Sequence, residues 1–227
     1  MKPSTPALLL YFVTSIIAIF LTFMQQYSLV VYCKAILVPA IFSYYLIANN
    51  YKMDWLKLLV FLFSLIGEIY GLMDFKHAEL GSILSFFIVY ILLLKCVVFD
   101  FKKAKLNQTT IVGIVILVLF LGGLLFSILD LKFEKLKFSF CLLLFYGVVL
   151  GILSVIAISN YIIRPNYRFL NLVLACACFI ISDVFYALNH FYITTAVLRI
   201  IGTSTQILSY LFLVIYFIES NALQENK

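Results

Sequence analysis

Long apolar runs, broken by short polar stretches, organise this chain. They cover 7–23, 29–48, 56–73, 81–99, 111–129, 138–160, 169–188 and 194–217. Each is close to the ~20 residues that an α-helix needs to cross a bilayer core. The pattern predicts an all-α fold: a polytopic membrane protein, a bundle of eight transmembrane helices forming a single domain over 1–227. Charge collects between the runs, as in DFKKAKLNQTT after the fourth and LDLKFEKLK after the fifth. No linker or extramembrane domain is evident in these short connections. The polar tail ESNALQENK reads as a frayed end.

Composition agrees. The 227 residues are 65% hydrophobic and 11% charged, more apolar surface than a soluble domain of this size can hide. The net charge of +6 would otherwise suggest nucleic acid. Its basic residues lie in short loops, which is the pattern of membrane orientation, so no nucleic-acid partner is expected. With eight spans both termini share a side. That side carries Lys2, Lys52, Lys57, Lys102, Lys103, Lys105, Arg164, Arg168 and Lys227, with Lys95 nearby. The other carries Lys76, Lys132, Lys135 and Lys137. Both termini are therefore expected in the cytoplasm, in a bacterial inner membrane. Lys2 and the run ALLLYFVTSIIAIFLTF look like a signal peptide, but no small-x-small cleavage site follows, so an uncleaved first span is expected. The aromatics at 44–45, 51 and 55 are expected to form an interfacial belt. The cysteines Cys33, Cys96, Cys141, Cys176 and Cys178 read as buried small residues, and no metal site or cofactor is expected.

Four charges break the apolar runs: Lys34, Glu68, Asp183 and Arg199. Charge there is costly, so the residues are expected in a functional site or in internal ion pairs. Spans 3 and 7 run outward and spans 2 and 8 inward. At 1.5 Å per residue all four charges then fall roughly 8 Å below the outer boundary, lining one cavity open to that face. Gly67 and Ser182 precede the two acids and would let spans 3 and 7 cross closely. Two carboxylates brought together in a low dielectric cannot both stay ionised easily, so one holds a proton it can donate. A protonated and an ionised carboxylate make an acid–base pair for hydrolysis. Two structural ion pairs would be the inert alternative. Ile66-Gly67-Glu68-Ile69-Tyr70 aligns with Ile181-Ser182-Asp183-Val184-Phe185, and Asp74 with Asn189. This is compatible with a parallel four-plus-four duplication.

Asn189, His190 and Gln206 form a second tier. Asn189 and His190 lie near the outer mouth, and mid-span Gln206 must face the bundle to find a partner. Ser204, Thr205 and Ser209 extend a polar stripe along the same helix, and Pro39 is expected to kink span 2 beyond Lys34. Tyr90 reads as packing. No phosphate-binding glycine loop, HExxH or GxSxG occurs, which leaves serine-nucleophile and zinc-protease chemistry without motif support.

Lys34 with Pro39, FSLIGEIYGLM in span 3, ISDVFYALNHF in span 7 and the span 8 glutamine together resemble the YhhN family, which includes the lysoplasmalogenases. The resemblance extends over nearly the whole chain. It implies an eight-span membrane protein that hydrolyses the vinyl ether bond of lysoplasmalogens to a fatty aldehyde and a glycerophospho-alcohol. By the same resemblance Asp183 matches the family's span 7 acid, Asn189 its asparagine, Lys34 its span 2 lysine and Gln206 its span 8 glutamine. Glu68 stands where the family usually has aspartate, Tyr90 where it often has histidine, Ala35 where proline follows the lysine, and Gly202 where it has tyrosine. These departures bear on activity more than on fold. The expected catalytic pair is Glu68 and Asp183, with Lys34, Asn189, Arg199, Gln206 and Tyr90 binding substrate. The expected partners are the bilayer and a lysophospholipid or ether-lipid substrate. A small-solute transporter and a catalytically silent lipid-binding protein are the alternatives.

Overall fold

In the computed structural model of the protein, eight helices follow one another among the described residues, and each packs on the next except α4 and α5. They are α1 (Thr5–Phe23), α2 (Tyr27–Ala48), α3 (Trp55–Tyr70), α4 (Ala78–Phe101), α5 (Gln108–Leu129), α6 (Ser139–Ile163), α7 (Tyr167–Phe191) and α8 (Ala196–Glu225). The structure describes residues 3–71, 73, 78–101, 108–130 and 139–225. Asp74, the loop lysines Lys76, Lys102, Lys103, Lys105, Lys132, Lys135 and Lys137, and the terminal Lys2 and Lys227 lie outside them.

Hydropathy placed the helices well. Every predicted run coincides with one helix, and the largest difference is at α8, which runs to Glu225 where the apolar run stops at 217. Seven of the eight are long and apolar enough to cross a membrane. The protein is an integral membrane bundle. The remaining helix, α3, has 16 residues. At 1.5 Å per residue it is about 24 Å long, short of a full hydrocarbon core. Asp54 caps its start, accepting from the Leu56 N–H at 3.1 Å, and Gly71 ends it. Its buried residues, Lys57, Val60, Phe61, Ser64, Gly67 and Glu68, recur at helical spacing and form one inward stripe. Asn166 caps α7 in the same way, accepting from the Phe169 N–H at 2.9 Å.

The buried core runs through α1, α2, α3, α4, α6, α7 and α8. At one end Tyr45, Phe42, Phe61 and Phe217 pack as an aromatic cluster. Of the aromatics expected at the interface, Tyr45 is buried in the bundle, its hydroxyl accepting from Asn221, while Tyr51 and Trp55 are exposed. Lys57, expected among loop charges, is buried beside them, donating to Asn221 and lying over the Phe217 ring. Pro39 sits within an α2 that continues from Tyr27 to Ala48. None of the five cysteines is in a disulfide, and Cys141 faces outward.

The expected crossing of α3 and α7 is replaced by another arrangement. α3 packs on α4 and α2, and α7 on α8 and α6. Gly67 makes room for the Phe86 ring of α4, and the Ser182 hydroxyl oxygen lies 3.1 Å from the Gly202 carbonyl of α8.

Candidate functional site

The helix ends bring the intramembrane charges together. Lys34, Glu68, Asp183 and Arg199 all line one cavity of about 630 Å³. The cavity lies toward the end of the bundle where α3 and α7 finish and α4 and α8 begin. The two acids sit at different positions along their helices. Glu68 lies in the last turn of α3, whereas α7 continues about two turns beyond Asp183. The short α3 brings its acid into the same chamber from a different position along its helix.

Glu68 is buried and doubly held. Lys34 Nζ of α2 lies 2.7 Å from Oε2, and the Tyr210 hydroxyl of α8 donates to Oε1 at 2.7 Å. Gln206 Nε2 donates in turn to the Tyr210 oxygen at 3.0 Å, and Ser182 donates to Gln206 Oε1 at 2.7 Å. One hydrogen-bonded line thus runs from Lys34 through Glu68, Tyr210 and Gln206 to Ser182, the residue before Asp183. Gln206 meets the bundle as expected. Thr205 and Ser209 instead bond to carbonyls of their own helix and need no outside partner.

Asp183 has a different set of partners. The Tyr90 hydroxyl of α4 and the Tyr146 hydroxyl of α6 both donate to Oδ2, at 2.9 and 2.8 Å. With Oδ2 committed to two donors, Oδ1 is the oxygen left for a substrate or a proton. Tyr90 is fully buried and reaches Asp183 from α4, so it positions the acid. Asn189 and His190 stand on the cavity wall near its mouth. Asn189 Oδ1 accepts from the Thr195 N–H at 3.0 Å and shapes the turn into α8. His190 Nε2 lies 2.8 Å from Glu79 Oε1 of α4, and its ring stacks on Tyr186. Tyr146 and Tyr210 escaped the sequence reading.

The two acid sites are related by exchanging the first four helices with the last four. Glu68 of α3 is held from α2 and α8, and Asp183 of α7 is held from α6 and α4. The packing pairs exchange likewise: α2 on α3 corresponds to α6 on α7, and α2 on α8 to α6 on α4. The short sequence repeat around the acids therefore has a counterpart in the helix arrangement. The exchange also exposes a chemical difference. An ammonium at Lys34 occupies the place that the neutral Tyr146 takes at the other acid.

Comparison with known proteins adds the lineage. The model of the YhhN family matches residues 29–218, which span α2 to α8 and every residue of the two acid clusters. The chain belongs to the YhhN family. No curated protein and no solved structure matches it. Within this YhhN protein, the usual span 3 aspartate is a glutamate that still reaches both Lys34 and Tyr210. The position expected to carry histidine is Tyr90, which supplies a hydroxyl to Asp183.

Proposed function

We infer that this YhhN protein is a membrane lipid hydrolase that cleaves the vinyl ether bond of lysoplasmalogens or a related ether lysolipid. The observation that carries the reading is the pair of carboxylates lining one cavity with different partners. Glu68 has a cation at 2.7 Å, whereas Asp183 accepts from two neutral hydroxyls. In this reading Glu68, beside its cation, acts as the base, and Asp183, without one, as the acid. The family's association with lysoplasmalogenase activity points the same way.

The chemistry follows from these roles. Asp183 gives its Oδ1 proton to the alkene carbon β to the ether oxygen, and the π electrons form the new C–H bond. The positive charge spreads over the adjacent carbon and oxygen, next to the Asp183 carboxylate now present. Water adds to that carbon while Glu68 takes its proton, giving a hemiacetal. Collapse returns the Glu68 proton to the departing alcohol oxygen and moves the hemiacetal hydroxyl proton to Asp183. The products are a fatty aldehyde and a glycerophospho-alcohol, and both acids are restored. Arg199 and Lys34, on the same wall, offer positive charge to the substrate phosphate.

The test is aldehyde release from a lysoplasmalogen by purified protein in detergent. Wild type should release aldehyde, and Glu68→Gln and Asp183→Asn should each lose at least about 100-fold in rate. An inert wild type, or full activity in both variants, overturns the reading.

A further inference from the structure

The four-plus-four exchange fails at one helix, and the failure leaves a groove. α1 is drawn onto α8, where Tyr11 donates to the Ile207 carbonyl and the stripe Tyr11, Thr14, Ser15, Ala18 and Thr22 is buried. Its counterpart α5 leans on α6 and α7, and none of the residues 111–129 is fully buried. Between α5, α6 and α7 lies an apolar groove of about 100 Å³, walled by side chains such as Leu125, Ile128 and Leu150. Its polar lining residues are Tyr146 and Asp183, and both also line the polar cavity, as do Leu143 and Ala187. Asp183 thus stands where an aliphatic slot meets a charged chamber.

Two glycines one turn apart on α6 keep the slot open. A Cβ on Gly147 would run into the Leu125 side chain. A Cβ on Gly151 would meet nothing within 4 Å, so a side chain there would occupy the groove itself. The outer face of α5 exposes Val115, Ile116 and Leu119, so a chain arriving from the bilayer crosses no polar barrier.

We propose that this groove is the chain-binding subsite. It takes the single alkyl or alkenyl chain of an amphiphile whose phosphate-bearing head lies in the polar cavity, and it sets the junction of head and chain at Asp183. The assignment rests on the lysolipid hydrolase reading above. The occupant is a single chain because the slot is narrow and leads into a chamber bearing Lys34 and Arg199, an asymmetry that matches one tail and one anionic head. A chain leaving lipid gains little from hydrophobic transfer, so the groove selects by shape and packing. Its filling by a side chain should therefore show directly in chain preference.

The experiment uses the full-length protein in nanodiscs and a hexadecyl lysophospholipid with a mid-chain diazirine. Photolysis and peptide mapping should place label on residues 121–129 and 143–151. Gly151→Leu should reduce that label about tenfold, as bulk in an apolar pocket does, while Gly113→Leu, also open but outside the groove, should not. Gly151→Ala, adding one methyl to the same space, should give a smaller reduction and serves if the leucine variant does not fold. In turnover, Gly151→Leu should slow a hexadecenyl substrate about tenfold and a short-chain analogue by less than about twofold. Label on other faces, or label indifferent to residue 151, overturns the groove. Groove label without aldehyde release would remove the hydrolase and keep the groove, and aldehyde release without groove label would do the reverse.

Discussion

The contact between Lys34 and Glu68 invites an inert reading, an ion pair that merely ties α2 to α3, and substitution separates the two meanings. Lys34→Met alone leaves a buried carboxylate without its cation and should lower stability by about 3–5 kcal/mol. Lys34→Met with Glu68→Gln removes both charges and should recover most of that loss, read as the thermal midpoint in detergent. A structural pair predicts that activity recovers with stability, whereas the proposed base role predicts a stable, inactive double variant. At the other acid, Tyr90→Phe and Tyr146→Phe each delete one donor to Oδ2. Each should slow aldehyde release by about 10- to 100-fold, with folding retained, and the double variant should fall further. The sequence makes the charged half of this site legible because a charge in an apolar run has to be explained. Tyrosine gives no such mark: among 15 of them, most of Tyr146 and Tyr210 looks like ordinary apolar surface, and only the need of a buried hydroxyl for a partner could have singled them out. Tyr45 shows the converse, a residue assigned to the interface by its type that the fold packs inside one end of the bundle.

Helix existence was legible for a simple reason: in lipid every backbone group must be satisfied within its own segment, so apolar length nearly dictates a helix. Helix partnership was not, because greasy faces look alike whichever neighbour they meet. Gly67 illustrates this. It reads as a contact for α7, yet it receives Phe86 of α4, and Gly81 of α4 receives Tyr70 of α3 in return. The two helices are interlocked, each with a ring over the other's glycine. A Cβ at Gly67 would lie 2.9 Å from Phe86 Cε2, and one at Gly81 would lie 2.8 Å from Tyr70 Cγ. Gly67→Ala should therefore cost about 1–3 kcal/mol through overpacking and tilt the helix turn that carries Glu68. Phe86→Leu in the same chain should restore both the thermal midpoint and the activity. Failure of that rescue would mean that the ring is not what limits the approach of α3 to α4.

For the whole molecule, the helix directions and the loop charges together set which leaflet feeds the site. The cavity lies at the end where α3 and α7 finish, and an even number of crossings returns the chain to its starting side. The basic residues assigned from the sequence to the opposite end outnumber those at this one, and from the positive-inside rule we propose that the cavity faces outward. The paired-acid arrangement puts both carboxylates on one side, whichever it is, because α3 and α7 correspond under the four-plus-four exchange and run the same way. Reporters fused to the two ends should accordingly be active only in the cytoplasm. A lysoplasmalogen supplied to the outer leaflet of intact cells should then be cleaved without first crossing the membrane. Its glycerophospho product should appear in the medium before it appears inside, and Asp183→Asn should abolish that extracellular product. Product accumulating first in the cytoplasm, with externally active reporters, would reverse the orientation while leaving the geometry of the acid pair intact.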